Sequence, residues 1–299
     1  MHNKNLLGVL ALVTATIVWG GSVVAQKLAL QNWHPAFVLL VRGGGTLLLI
    51  VPWLLLKNQI DRPALFKDRA MLTGLGFFGV ANSLFVLLGL QFTSAMEAGM
   101  MMGSSPILTA LLLKVMGRKT LDGRGWAAAA ITFLGVILVV FHPEPGETKV
   151  TMVWLGNFLV FLGVVCWSAY TVFSKEAMLR HSPFLIMAVT WVGVLLVVPI
   201  TIHQQRISSE HLILGWGALI YIVVIATVLA FFLWLYGLHQ MGEARSSVFL
   251  NLIPLFSIVF SASLLGESIH LRQWIGGGLI LFGAWTVSGI RPGMNRTEK

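Results

Sequence analysis

Residues 6–26, LLGVLALVTATIVWGGSVVAQ, carry no charge over a length that lets a helix cross the hydrocarbon core of a bilayer. The apolar run is continuous rather than alternating, so it reads as a helix and not as a barrel strand. It is too long for a signal-peptide core and lacks a convincing small-residue cleavage site, which makes it the first membrane span. Working outward, the same reading applies roughly to Pro35–Leu56, Met71–Leu90, Ala98–Leu113, Gly125–Phe141, Val153–Ser174, Pro183–His203, Leu214–Tyr236, Ser246–Leu265 and Gln273–Ile290. The eighth belongs to a longer uncharged stretch, His211 to Gly242. Short polar connections separate the runs, and none could hold a soluble domain. The expected fold is an all-α integral membrane bundle of ten transmembrane helices.

Composition agrees. Of 299 residues 57% are hydrophobic and 10% charged, against about 25% charged in a soluble domain. Mean hydropathy is +0.86. The formal charge of +9 would suggest nucleic acid in a soluble protein, but here the cations sit in short loops, as topology signals do. With ten spans, fifteen of the twenty Lys and Arg fall on the side of the termini, from Lys4 through Lys57, Lys114 and Lys175 to Lys299. Only Lys27, Lys149, Arg206 and Arg272 fall on the other, and Arg42 lies within a span. Both termini are therefore expected in the cytoplasm, with lipid rather than nucleic acid as the partner surface. A single cysteine, Cys166, excludes an internal disulfide and any multi-cysteine metal site.

The chain also matches itself. A shift of 148 residues without gaps places Trp19 on Trp167, Lys27 on Lys175, Pro35 on Pro183 and Gly89 on Gly237. It also places Pro106 on Pro254, Arg124 on Arg272, Trp126 on Trp274 and Gly135 on Gly283. The turn-rich run His142-Pro-Glu-Pro-Gly146 marks the midpoint. This divides the chain into a first repeat at 1–143, a linker at 144–150, a second repeat at 151–290 and a cytoplasmic tail at 291–299. Five spans per repeat is an odd number, so the second repeat enters the membrane from the opposite side. The two are inverted five-helix repeats, an arrangement common among secondary transporters, whose substrate site lies between the repeats near the midplane.

These residues resemble the drug/metabolite transporter superfamily, specifically its EamA-like ten-span members. The resemblance rests on Trp19-Gly-Gly-Ser22 with Lys27, Trp167-Ser-Ala-Tyr170 with Lys175, Arg42, Pro106, Pro254 and Leu265-Gly-Glu267. Where the family has a Gly-Glu pair closing each repeat's fourth span, the first half reads Gly117-Arg118. The resemblance implies a bacterial inner-membrane transporter of small organic solutes, often an exporter of amino acids or related metabolites. It further implies a central cavity built by spans 1–4 and 6–9, with spans 5 and 10 bracing the bundle.

Twelve residues are candidates for that cavity: Trp19, Ser22, Arg42, Phe78, Asn82, Glu97, Ser104, Pro106, Trp167, Tyr170, Asn251 and Pro254. Arg42 is the strong base inside a span, and such a charge is by default a functional candidate. Its expected partner is Glu97, in a structural ion pair or beside a site that attracts a carboxylate. Pro106 and Pro254 deprive the carbonyls of Met102 and Leu250 of their helical donors, giving either static kinks or a polar patch at the site. The aromatic rings suit an apolar solute or simple packing. Ser22, Asn82, Ser104 and Asn251 could meet a substrate's polar ends or a neighbouring helix.

No nucleophile with a base, paired catalytic carboxylates, HExxH or P-loop occurs, and no histidines stand at metal-ligand spacing. No enzyme activity, cofactor or metal is expected, and a monomer is favoured. Spans 1–3 contain no acid to carry a proton, so the expected mode is uncoupled, facilitated export by alternating access. A proton-coupled drug-efflux antiporter is the alternative.

Overall fold

A computed structural model of the chain describes residues 2–58, 60, 62–117, 123–140, 150–197, 199, 212–241, 246, 249–267 and 270–287. The expected tail, and the linker up to residue 149, lie outside these residues. Every element among the described residues is helical. α1 (His2–Leu30) carries the opening sequence, and α2 (Pro35–Leu56) follows a tight connection. A short α3 (Arg62–Lys67), not anticipated from the sequence, precedes α4 (Arg69–Gly89). The fourth expected span is two helices, α5 (Ala95–Met102) and α6 (Ser105–Val115), which meet at a bend of 41°. α7 (Gly123–Val140) ends the first half.

The second half begins with α8 (Val150–Ala177), then α9 (Pro183–Val192), which tightens into a 3-10 turn at Gly193–Val197. The expected seventh span, Pro183–His203, is thus α-helical to Val192 and 3-10 to Val197, and residues 198 and 200–203 lie outside the described residues. α10 (Leu212–Met241) is continuous, with a π-helical middle at Tyr221–Leu229. The ninth expected span is interrupted by a turn at 250–251, between the helical residues Ser246 and Phe249 and α11 (Leu252–Leu265). α12 (Leu271–Val287) follows. Among the described residues five helices are long and apolar enough to cross a membrane, or six if the bent pair counts as one span. The bundle presents apolar side chains outward, with Leu56 85% and Ile213 92% exposed. Such a surface suits lipid rather than water.

Local sequence explains the helix ends. His34 and Ser182 cap α2 and α9 through their side chains, each followed by proline at the first helical position. Gly117 and Gly266 close α6 and α11 in the left-handed region, at φ +75° and +66°, where glycine pays no steric penalty. Proline cannot donate to the preceding turn, and the breaks fall two residues before Pro106 and at Asn251, three before Pro254.

Packing recurs at the same 148-residue shift. α1 packs along α10 and α11, while α8 packs along α4 and the α5–α6 pair. α2 meets α9, α5 meets α11, and α7 meets α12. Glycines set the closest approaches. A Cβ at Gly89 would stand 2.6 Å from the Gly156 carbonyl oxygen, and one at Gly237 3.1 Å from that of Gly8. Between α7 and α12, a Cβ at Gly135 would lie 2.6 Å from the Gly276 carbonyl, and one at Gly283 2.5 Å from that of Ala128. Small residues let membrane helices pack at such distances.

At one end of the bundle, called here the Lys27 end, polar contacts tie helix ends together, within the first half and between the halves. Lys27 Nζ donates to the carbonyls of Leu90 and Thr93 at 2.6 and 2.7 Å, where a cation complements the end of α4. Glu267 accepts from the backbone N–H groups of Ala95 and Met96 at 3.0 and 2.9 Å, so the carboxylate after α11 caps the start of α5. At the other end, Asp68 binds Arg180 and His181, each at 2.9 Å.

Two outcomes follow. Gly283→Leu should lower the melting temperature in detergent, since overpacking costs about 1–3 kcal/mol, whereas Gly278→Leu, with open space around its Cβ, should leave it unchanged. Glu267→Ala should destabilise by about 0.5–2 kcal/mol, the scale of a lost N-cap, with Glu267→Asp retaining part of it. Thermal unfolding monitored by intrinsic tryptophan fluorescence checks both.

Candidate functional site

A cavity lies inside the bundle, about 720 Å³ when its open mouth is included. α1 contributes Trp19, Ser22, Val23 and Gln26, α2 contributes Arg42, and α4 contributes Gly79, Asn82, Ser83 and Val86. Met102 and Ser105 flank the α5–α6 break, while Leu250 and Ile253 flank the start of α11. Val164 and Trp167 come from α8, Thr190 and Trp191 from α9, and Phe231 from α10. Neither α7 nor α12 lines it; they pack on each other.

Arg42 is the one charged residue in that lining among the described residues. Its Nε donates to Thr227 Oγ1 at 2.9 Å, and its Cζ sits 5.1 Å from the centroid of the Trp191 ring. Ring and cation attract through the ring quadrupole, most strongly where water is excluded. Thr227 belongs to the π-helical stretch and donates five residues back, to the Ile222 carbonyl at 2.7 Å. The neighbouring Ala226 carbonyl accepts from Trp19 Nε1 at 2.9 Å. The π-helical turn thus anchors two cavity residues, a role consistent with the association of such segments with functional sites.

The expected ion pair between Arg42 and Glu97 does not form. Glu97 stands at the Lys27 end, where it accepts from Gln273 Nε2 at 2.9 Å and lies 2.5 Å from Thr93 Oγ1. The reason is packing: α2 meets α9 and α10, whereas α5 meets α11 and α8.

Toward the Asp68 end the cavity meets a layer of rings. Trp19 and Trp167, the residues paired by the 148-residue shift, touch edge to face with centroids 5.2 Å apart. Phe231, Trp234 and Tyr170 pack around them at 5.3–6.1 Å. Tyr170 and Trp234 are fully buried and contribute to this layer, not to the lining.

Of the twelve sequence candidates, Trp19, Ser22, Arg42, Asn82 and Trp167 line the cavity. Asn82 Nδ2 donates to the Gly163 carbonyl at 2.9 Å, and Ser22 Oγ accepts from Gln26 Nε2 at 3.1 Å. Seven do not line it. Phe78 stacks on Phe173, and Tyr170 Oη pairs with Thr190 Oγ1 at 3.2 Å. Ser104 donates to the Met101 carbonyl at 2.7 Å, and Asn251 caps the start of α11 without a side-chain bond. Pro106 and Pro254 act through the backbone, exposing neighbours such as Met102, Ser105 and Ile253. Glu97 belongs to the Lys27 end. Sequence reasoning missed Gln26, one helical turn beyond Ser22, and Thr190, at the place the shift assigns opposite Arg42.

Comparison with known proteins agrees with this architecture. A solved crystal structure superposes with a TM-score of 0.64 over 95% of both chains, at 17% identity, a likeness in fold. An uncharacterized transporter of Bacillus subtilis (strain 168), YyaM, is 26% identical, over 96% of this chain and 95% of its own. An uncharacterized inner membrane transporter of Escherichia coli (strain K12), YedA, is 22% identical over 91% and 87%. The EamA-like transporter family matches twice, at residues 6–141 and 154–289. With nearly its whole length accounted for by those two matches, the chain belongs to the EamA-like transporter family.

Proposed function

We propose that this membrane transporter moves small organic solutes that carry a carboxylate, exporting amino acids or related metabolites from the bacterial cytoplasm across the inner membrane. The observation that carries the reading is Arg42, a buried cation without a partner carboxylate among the described residues, beside a cavity walled by Trp19, Trp167, Trp191 and Phe231. A cation held in such surroundings attracts an anion, and the rings accept an apolar body. Transport proceeds by alternating access between two inverted five-helix repeats, 1–143 and 151–290, joined by the linker 144–150. The recurrence of helix contacts at the 148-residue shift and the paired family matches support that division. Ten spans, with α5–α6 counted as one and the shorter apolar helices included, place both termini and the tail 291–299 in the cytoplasm. The asymmetry of Lys and Arg supports this orientation. The Asp68 end is then cytoplasmic, and the ring layer closes the cavity on that side.

Among the described residues the lining holds no Asp or Glu, which favours facilitated diffusion over proton-coupled efflux of cationic drugs; we take the carrier to act as a monomer. Purified protein in liposomes, loaded with a panel of amino acids and related carboxylates, tests the reading. Flux above empty liposomes is expected without a proton gradient. Arg42→Ala should cut kcat/KM by roughly 10- to 100-fold, the scale of a hydrogen bond to a charged group, at an unchanged melting profile. Normal transport by the folded variant would remove Arg42 from the site, and flux of cationic dyes alone, dependent on a proton gradient, would establish the antiporter instead.

A further inference from the structure

The polarity of the cavity wall divides by repeat, which deepens the transport reading above and rests on it. Trp167, Trp191 and Phe231 come from the second half, whose hydroxyl in the wall, Thr190, donates to the Ile186 carbonyl at 2.7 Å. The first half supplies oxygens that receive no donor among the described residues. Gln26 is 3% exposed, and its Oε1 has no partner. The amide orientation is fixed, because Nε2 donates to the Ser22 carbonyl and to Ser22 Oγ, each at 3.1 Å. Reversing it would set Oε1 against that carbonyl, acceptor against acceptor. Asn82 is fixed likewise: Nδ2 donates to the Gly163 carbonyl at 2.9 Å, which leaves Oδ1 without a donor. Ser83, also in the wall, has no side-chain partner among the described residues. Pro106 deprives the Met102 carbonyl of its helical donor. The corresponding Leu250 carbonyl, freed by Pro254, instead accepts from the Ile253 N–H at 3.0 Å. The 148-residue shift puts Ser174, Ala230 and Phe231 at the places of Gln26, Asn82 and Ser83, so the second half has no matching set.

A buried acceptor without a donor is unfavourable until a ligand or a water supplies one. An ammonium group brings three donors and no acceptor. Arg42 gives its Nε–H to Thr227, and its terminal N–H groups meet no protein acceptor among the described residues. We propose that Gln26, with Asn82, Ser83 and the Met102 carbonyl, forms a neutral-oxygen subsite for the ammonium group of an α-amino acid. The carboxylate of the same molecule meets Arg42, and its apolar or aromatic side chain lies against the rings of the second half. The terminal torsion of glutamine is soft, so a small rotation turns Oε1 toward the entering donor. Neutral oxygens suit a zwitterion beside Arg42. An acid in their place would pair with the guanidinium and compete with the carboxylate of the solute. The solute then crosses with no net charge, in keeping with flux down its own gradient.

The test compares phenylalanine with 3-phenylpropionate, which lacks only the amine, as solutes for the purified chain in liposomes. Flux into empty liposomes is subtracted. In the wild type phenylalanine is expected to show at least about tenfold higher kcat/KM, the scale of hydrogen bonds to a charged group. Gln26→Leu should erase most of that preference. Ser83→Ala, a smaller change, should shift the ratio in the same direction and reads the subsite should Gln26→Leu fail to fold. A wild type that moves 3-phenylpropionate as well as phenylalanine would overturn the subsite while leaving the transport reading intact. So would folded variants that keep the wild-type ratio. Replacing sodium with choline should change nothing; sodium-dependent flux that is lost in Gln26→Leu would assign the oxygens to a metal cation instead. Flux of other solutes in the wider panel but not of phenylalanine would overturn the assignment of an apolar amino acid. No flux of any solute would overturn the transport reading, and this inference with it.

Discussion

A guanidinium enclosed in a helix bundle, with no carboxylate beside it, constrains most of what surrounds it. At the centre of a membrane-spanning helix an arginine costs about 2.5–3.5 kcal/mol even on insertion scales, where lipid and water relax around it. Here the cost is met locally, by Thr227 Oγ1, by the face of Trp191 and by the cavity itself. Each depends on something further away. Thr227 is positioned by the π-helical stretch of α10 and bonds five residues back. Trp191 is held because Gly43 lets α9 approach α2; a Cβ there would stand 2.9 Å from the ring. The cavity exists because α5–α6 is bent and α11 starts late.

That last point connects sequence to site through the backbone. A proline cannot donate to the turn before it, and the freed carbonyl is tolerated at membrane depth only inside protein or beside a wet space. Pro106 and Pro254 do not line the cavity. Their effect is to interrupt two helices that pack against each other, and the residues flanking those interruptions, Met102, Ser105, Leu250 and Ile253, form part of its wall. The positions of the prolines are therefore informative about the site through the backbone breaks beside them.

The same distinction governs what was legible beforehand. Helix identity was readable, because apolar composition and length act along the chain alone. Contacts that fall on rare residues at one fixed shift were readable as well: Trp19 with Trp167 across the middle, and the glycine approaches at Gly89, Gly135, Gly237 and Gly283. The partner of Arg42 was not. Arg42 and Glu97 are reached from the same side of the membrane, but a shared side does not say which helices are neighbours, and α2 faces α9 and α10 instead of α5. Nor does any residue pattern announce a π-helical stretch or a glutamine occluded beside a serine. Those depend on how the second half lies against the first, which the sequence specifies only through packing summed over the bundle.

The duplication also shows where the two halves have parted. At the Asp68 end, Asp68 is held by Arg180 and His181. The 148-residue shift carries these three positions to Trp216, Asn32 and Trp33 at the opposite end. There Trp33 and Trp216 meet with centroids 5.0 Å apart, while Asn32 lies beside Gly215. At these equivalent positions one end thus carries a buried carboxylate with two basic groups and the other two indoles, alongside the Lys27 and Glu267 contacts that also hold the second end. Separating the first set hydrates charges, whereas separating the second exposes the apolar face of Trp33, which is 5% exposed beside the half-exposed Trp216. Under alternating access, two halves of equal sequence would open to either side at equal cost. The substitution of ions for rings at these positions removes that equality.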